Sequence, residues 1–139
     1  METDTTTATP NNEPKKYRSF TDLLVWQRAV DIFMLAAEDA EKFPEGRAAY
    51  LTASQVVRTA GAIGASIAGG YGNYNGFRSR LISAKSYACQ AQDWYHKIGH
   101  LNYLPGETVD QRLDLLTVIL KMLNGLLAKL NRPVNPESK

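Results

Sequence analysis

Residues 58–76 read RTAGAIGASIAGGYGNYNG and hold six of the ten glycines in the chain. The spacing disfavours three enzyme motifs. A dinucleotide-binding loop needs G-x-G-x-x-G after a strand. Gly70 and Gly72 supply the first two glycines, but Asn75 occupies the position of the third. A phosphate-binding P-loop needs a terminal Gly-Lys-Ser/Thr, which does not follow. A nucleophile elbow needs G-x-S-x-G after a strand, whereas residues 64–68 read GASIA with helical spacing.

The first part of this stretch is typical of a helix. Two stripes recur at intervals of three and four residues, an apolar one at Val56, Ala60, Ile63 and Ile67 and a small-residue one at Val57, Gly61, Gly64 and Ala68. Small residues let another backbone approach closely, although each glycine costs roughly 1 kcal/mol in an exposed helix. Glycines alternate with Tyr and Asn over residues 69–76, which predicts a helix end and a loop.

Hydrophobic periodicity predicts three further helices and no strand. The four helices are expected at about residues 20–43, 47–70, 77–100 and 108–131. Ser19 is the predicted N-cap of the first helix, which Pro44 and Gly46 end. The expected core stripes are Leu23, Trp26, Val30, Phe33, Ala37 and Ala40 in the first helix, Leu81, Ala84, Ala88, Ala91, Tyr95 and Ile98 in the third, and Leu113, Leu116, Leu120, Leu123, Leu127 and Leu130 in the fourth.

Four long helices with short connections predict an all-α, antiparallel up-down-up-down four-helix bundle. One core needs one apolar stripe per helix, but the second and fourth helices carry two. The extra stripe of the fourth helix is Leu115, Ile119, Met122 and Leu126. An apolar stripe left in water demands a partner, so we expect these two extra stripes to pack against further copies of the chain in a homo-oligomer. A wide stripe buried within a monomer is the alternative.

The composition is typical of one soluble domain. The chain has 139 residues, 44% of them hydrophobic, and a formal net charge of +2 that permits an anionic partner without demanding one. Polar segments at 1–17 and 133–139 are expected to be a disordered and a flexible tail around a bundle domain at 18–132. The single cysteine, Cys89, precludes an internal disulfide and favours a reducing compartment. With no membrane-spanning run and no secretory signal, the expected location is the cytoplasm.

The loop after the second helix is the candidate nucleic-acid site. Its sequence, GGYGNYNGFRSR, places aromatic residues beside arginines, and Lys85 follows on the same helical face as Arg78. Aromatic rings stack on unpaired bases and arginines bind phosphate. The predicted contact residues are Tyr71, Tyr74, Arg78, Arg80 and Lys85. The alternative is a solvated loop whose aromatic residues pack on a neighbouring subunit.

A metal site is a weaker hypothesis on the third helix. Cys89, Asp93, His96 and His100 follow one another at spacings of four, three and four, and all are possible metal ligands. One straight helix rarely supplies so many ligands to one ion, and the chain has no other histidine, so we expect no metal and no cofactor. Glu38, Asp39 and Glu41 are interpreted as a solvent-facing acidic edge. With no paired carboxylates at acid/base spacing, we expect no enzymatic activity.

Three phrases of the sequence resemble one bacterial family. Residues 62–73 resemble the family phrase S-I-P-A-N-I-A-E-G-x-G-R, and residues 102–104 resemble its G-Y-L phrase. The opening SFTDLLVWQRAVDIF matches an F-x-D-L-x-V-W phrase at Phe20, Asp22, Leu23, Val25, Trp26 and Gln27. Over about residues 18–132 the chain is therefore similar to the four-helix bundle proteins of the 23S rRNA-intervening sequence protein family. It departs from the second phrase at Gly64, Ser66, Gly69 and Asn73, where proline, asparagine, glutamate and arginine are usual.

The resemblance implies a bundle that assembles into a homo-oligomeric ring, commonly a pentamer, without catalysis. A related branch, the accessory variability determinant proteins of diversity-generating retroelements, binds RNA and a reverse transcriptase. The function we expect is a non-enzymatic scaffold or adaptor that binds RNA or a nucleic-acid complex. The alternatives are a pure protein–protein assembly module and a metal-binding protein that uses Cys89, Asp93, His96 and His100.

Overall fold

The computed structural model describes residues 19–73 and 76–131. A short 3-10 turn at Phe20–Asp22 precedes four α-helices, which we number α1 (Leu24–Ala40), α2 (Arg47–Gly70), α3 (Phe77–Leu101) and α4 (Gly106–Asn131). These residues contain no strand, so the prediction of an all-α chain with four helices is confirmed. The predicted tails lie outside the described residues. Within those residues, no helix combines the length and apolar character that a membrane span requires.

The chain enters α1 through a break that the periodicity did not predict. The hydroxyl of Ser19 accepts a hydrogen bond from the Thr21 N–H at 3.1 Å, so Ser19 caps the 3-10 turn instead of α1. Leu23 is extended, with ψ of 127°, and separates the turn from the helix. The break lets the Phe20 ring fold back against Trp26, edge to face, with ring centroids 5.2 Å apart.

The ends of the helices are defined by local backbone geometry. Gly46, just before α2, has φ of +131°, a conformation that side chains with a Cβ rarely adopt. Asn102 ends α3 in the left-handed region at φ of 59°, and its N–H bonds back to the carbonyl groups of Gly99 and Ile98. The predicted bounds of α2 agree with the structure, and those of α3 and α4 differ by one or two residues at one end. The bounds predicted for α1 are wrong at both ends, because the helix begins at Leu24 and ends at Ala40, before Pro44.

The core is formed by one buried stripe from each helix. The stripes predicted for α2 and α3 are confirmed, since all of their members are buried. The stripe predicted for α1 is wrong, because the buried residues of α1 are Val25, Ala29, Ile32, Ala36 and Asp39. The predicted stripe lies one position around the helix, where Trp26 and Phe33 pack against the small residues of α2. Both adjoining stripes contain apolar residues, so their spacing alone does not indicate which stripe is buried.

The stripe predicted for α4 is confirmed in part, because Leu116, Leu123 and Leu127 are buried whereas Leu113 and Leu120 are half-buried. The buried residues of α4 are Val109, Arg112, Leu116, Ile119, Leu123 and Leu127. Leu130, predicted to lie in the core, is 45% exposed. Ile119, predicted to pack between subunits, is fully buried within the chain. The core of α4 thus takes residues from both of its apolar stripes.

Contacts between the helices bring their termini together in two groups. The start of α3 meets the end of α2, where Arg80 lies on Gly70, and the end of α4, where Arg78 bonds Asn131. The start of α1 shares a groove with the end of α4. In the second group, Asp39 near the end of α1 bonds both Tyr95 of α3 and Arg112 of α4.

Candidate nucleic-acid interface

Two glycines at the end of α2 make room for Arg80. A Cβ atom on Gly70 would lie 2.7 Å from Cβ and Cγ of Arg80 and 3.3 Å from Cα of Phe77. A Cβ atom on Gly69 would lie 2.9 Å from Nη2 of Arg80. The arginine side chain therefore runs along the last turn of α2, where the partial negative charge of a helix C-terminus favours a cation. The glycine pair of the loop sequence thus positions a basic side chain.

Arg78 is held by the neighbouring helix. Its Nε donates a hydrogen bond to Oδ1 of Asn131 at 2.8 Å, which links the first turn of α3 to the last turn of α4. Arg78 and Arg80 are both exposed at this end of the molecule. A guanidinium group has five N–H donors, so a single bond to Asn131 leaves most of its capacity to bind other groups.

Tyr71 of the predicted site is less exposed than Arg78 and Arg80. Tyr71 and Phe77 are half-buried and meet edge to face, with ring centroids 6.1 Å apart and an interplanar angle of 87°. Tyr71 therefore presents only part of its ring to the solvent. Tyr74, the other predicted aromatic contact, lies outside the described residues.

Lys85 is placed further along α3 than the two arginines. It lies seven residues after Arg78, two helical turns, and so on the same side of α3. It is half-buried, unlike the exposed arginines. The structure thus groups Arg78 and Arg80 at the start of α3 with Tyr71 close by, and it places Lys85 at the edge of this group.

Charge is segregated between two halves of the molecule. We call residues 19–32, 59–73, 76–89 and 119–131 the basic half, because they contain six basic residues and only two acidic ones, Asp22 and Asp31. We call residues 33–57 and 90–118 the acidic half, because they contain four basic residues and eight acidic ones. These described residues carry formal net charges of +4 and −4, with Arg58 at the midpoint of α2. The cations of the basic half are Arg28, Arg78, Arg80, Lys85, Lys121 and Lys129.

The residues predicted to pack between subunits line two surface grooves and part of the core. A groove of about 240 Å³ lies between α1 and α2, lined by Gly61 and Gly64 together with Trp26 and Phe33. A groove of about 290 Å³ lies between the start of α1 and the end of α4, where it includes Met122 and Leu126. Gly64 is itself buried. The other members of the two stripes, Val57, Ala68 and Leu115, are half-buried.

The structure gives no support to the metal hypothesis. Cys89, Asp93, His96 and His100 are all exposed on α3, and Asp93 pairs with Lys97 at 2.7 Å. Among the residues that the structure describes, no group of three or more histidine, cysteine, aspartate or glutamate side chains could hold a metal ion.

The structure contains a buried polar network that the sequence pattern did not predict. Asp39 is fully buried, which contradicts its placement on a solvent-facing edge. Its Oδ2 accepts hydrogen bonds from the Tyr95 hydroxyl at 2.7 Å and from Nε of Arg112 at 2.8 Å, while Oδ1 accepts one from Nη2 of Arg112 at 2.9 Å. Opposite charges at core positions of two helices were the available signal.

Burial of this network changes the acidity of its members. Removal from water, the hydrogen bond to Asp39 and the charge of Asp39 all raise the pKa of Tyr95 far above its ordinary value of 10.0. The hydrogen bond to Asp39 raises the pKa of Arg112 as well. The network therefore stays neutral at Tyr95 and ionised at Arg112. None of its three members lines the grooves beside α1 or the cleft at the α1–α2 turn, so we interpret the network as a structural connection.

The sequence has one informative match among known proteins. It fits the family model described as 23S rRNA-intervening sequence protein over residues 21–125. This span contains α1, α2 and α3 and most of α4, and therefore includes Arg78 and Arg80. No curated protein and no solved structure matches the chain.

Proposed function

Because the chain belongs to the 23S rRNA-intervening sequence protein family, we propose that it is a non-enzymatic scaffold that binds RNA through its basic half. The observation that carries this proposal is the net charge of +4 in that half, with Arg78 and Arg80 both exposed in the first turn of α3. Cations held in one place attract the phosphates of a polyanion more strongly than the same charges scattered over a surface.

The chemistry of the interface suits single-stranded or looped RNA. Arginine binds phosphate with paired N–H donors, and an aromatic edge beside it offers a surface on which an unpaired base can stack. Tyr71 and Phe77 supply such a pair of rings at 6.1 Å from each other.

We further propose that the helices alternate up and down and that copies assemble into a ring, with five subunits as the resemblance implies. The two groups of helix termini and the short connections support the alternation. The two apolar grooves beside α1 support assembly. A ring would repeat the basic half around its axis and multiply the local field. The retroelement branch extends the proposal to an accessory role beside a reverse transcriptase in the cytoplasm.

The test is binding of a labelled, structured RNA across a salt series. The double variant Arg78→Ala with Arg80→Ala should weaken binding at least tenfold and reduce the salt dependence by about one unit of slope per lost phosphate contact. Arg78→Lys with Arg80→Lys keeps both charges and should retain most of the affinity. This second variant separates phosphate contact from the loss of the Arg78–Asn131 bond.

The matched control removes two cations from the acidic half. Lys42→Ala with Arg47→Ala changes the net charge by the same amount, at exposed positions near the α1–α2 turn. It should leave RNA affinity within about twofold. Absence of RNA binding at low salt, or equal losses in both double variants, would disprove an RNA interface at Arg78 and Arg80.

A protein assembly module without a nucleic-acid role is the second candidate. The grooves of about 240 Å³ and 290 Å³ support it, because they leave apolar surface on both sides of α1. An intact oligomer that binds no RNA at low salt would select this function.

A further inference from the structure

A third cleft, of about 390 Å³, lies at the turn between α1 and α2 in the acidic half. Phe43, Pro44, Ala49 and Ala53 form much of its apolar lining. Tyr50 also lines it and is 71% exposed, the most exposed of the large hydrophobic side chains among the described residues. An aromatic ring held this far out of the core contributes little to the fold of the chain itself.

The charged residues that line this cleft are both acidic. Glu41 follows the last residue of α1 and Glu45 lies in the turn, and both are exposed. Within residues 19–73 and 76–131 neither carboxylate has an ion-pair partner. Lys42 and Arg47 belong to the same turn but are not among the residues that line the cleft. The cleft therefore joins an apolar floor, an exposed ring and two carboxylates inside a half with net charge −4.

We propose that this cleft binds an arginine-bearing segment of a basic partner protein. A guanidinium group stacks on the face of a tyrosine ring and pairs its N–H donors with carboxylates. Tyr50 supplies the ring, and Glu41 and Glu45 supply the carboxylates, while the methylene stem of the arginine covers the apolar floor. The proposal rests on the adaptor function proposed above, because an adaptor needs a second surface. The cleft would supply this surface for a protein, in the half opposite the one that binds RNA.

Charge complementarity decides the class of the occupant. RNA is repelled by a half with net charge −4, and an acidic or neutral protein segment leaves both carboxylates unmatched. Proteins that act on nucleic acids carry basic surface segments, which fit this half of the molecule. The two halves thus sort their partners by sign of charge.

The experiment measures binding of a fluorescein-labelled oligoarginine peptide, with an oligolysine peptide of equal length for comparison. The full chain should bind oligoarginine more tightly than oligolysine, because arginine stacks on the ring as well as pairing with the carboxylates. Glu41→Gln with Glu45→Gln should weaken binding roughly tenfold. Tyr50→Ala should remove the preference for arginine while the remaining affinity, set by charge, persists.

A matched control comes from the same half. Asp110→Asn with Asp114→Asn removes two exposed acidic charges from α4, outside the cleft, and should leave oligoarginine affinity within about twofold. Circular dichroism of each variant confirms that the helices are retained. If this control weakened oligoarginine binding as much as the Glu41/Glu45 variant does, the proposal would be overturned. It would also be overturned if the cleft variants left oligoarginine affinity unchanged.

This test is independent of the RNA experiment. The Arg78/Arg80 variant should bind oligoarginine as the unmodified chain does, and the Glu41/Glu45 variant should bind RNA at least as well as the unmodified chain. Loss of peptide binding in the Arg78/Arg80 variant would contradict separate surfaces. RNA binding without peptide binding would leave the proposed RNA function intact and disprove the protein site alone.

Discussion

At the scale of single residues, the most consequential one is Asp39. Its carboxylate is fully buried and receives three hydrogen bonds, from Tyr95 and Arg112. Removing one partner of such a buried pair typically costs about 3–5 kcal/mol, since the other charge is left unmatched in a region without water. Three helices are tied at this point, which makes the network a determinant of their relative register.

Tyr95 gives the network a measurable dependence on pH. Its raised pKa means that the folded chain keeps the phenol proton at pH values where an unfolded tyrosine has lost it. The contribution of Tyr95 to the free energy of unfolding is therefore fully present below pH 10. This contribution falls as the pH rises further, by up to about 1.4 kcal/mol per pH unit. Tyr95→Phe should be less stable at neutral pH by about 1 kcal/mol but should lack this part of the alkaline decline.

Urea unfolding between pH 9 and pH 11 measures the effect. Tyr50→Phe is the control, since Tyr50 is 71% exposed and its replacement should preserve the decline seen in the unmodified chain. An equally steep decline in Tyr95→Phe would mean that Tyr95 ionises in the folded chain.

For the helices, the sequence was sufficient to predict the buried face where a single apolar stripe stood out. The stripe of α3 could be predicted because polar residues occupy most of its other positions. In α1 the stripe with Trp26 and Phe33 has the larger side chains, yet the stripe with Ala29 and Ala36 is the buried one. Small residues permit the close packing of helices, and hydrophobicity alone does not reveal which stripe does so. The cleft at the α1–α2 turn was missed for a related reason, because it depends on how the turn folds.

The small residues of α2 provide a prediction about packing. A Cβ atom on Gly64 would already lie 3.3 Å from Nε1 of Trp26 and 3.5 Å from Cβ of Ala29. Gly64→Leu should therefore lower the free energy of unfolding by roughly 1–3 kcal/mol, because the added side chain must displace the Trp26 ring from α2. Denaturant unfolding of the variant measures this loss.

Gly125 is the matched control for this substitution. It lies in α4 with nothing within 4 Å of a Cβ atom, so Gly125→Ala should stabilise the chain by up to about 1 kcal/mol. If Gly64→Leu had no cost, Trp26 would have to be free to move away from α2, and our account of this contact would be incorrect.

At the scale of the whole molecule, two kinds of surface coexist. The two ends differ in charge, and the sides next to α1 carry the apolar grooves. Under the proposed function these surfaces serve different partners, with other copies of the chain at the apolar grooves and ionic partners at the charged ends. The distribution of charge could be read from the sequence only after the helices had been arranged, since each half collects residues from all four helices.

Assembly through the α1–α4 groove can be tested at its edge. Leu24 lines this groove and is 51% exposed, so Leu24→Glu should not disturb the core. If copies meet here, the variant should show a lower assembled mass by light scattering, because the contact would have to remove a carboxylate from water. Met34→Glu adds the same charge at an exposed position of α1 that lines neither groove, and should keep the mass of the unmodified chain. An unchanged mass in Leu24→Glu would exclude this groove as a contact between copies.

Opposite charges at the two ends also make the chain an electric dipole. Helices of about 25 residues are roughly 37 Å long, so the centres of the two halves lie about 19 Å apart. Net charges of +4 and −4 at that separation correspond to a moment of several hundred debye. Such a molecule experiences a torque near a polyanion and rotates while still approaching. Under the proposed function, the first collision is then made by the end that carries Arg78 and Arg80, so fewer encounters occur in an unproductive orientation.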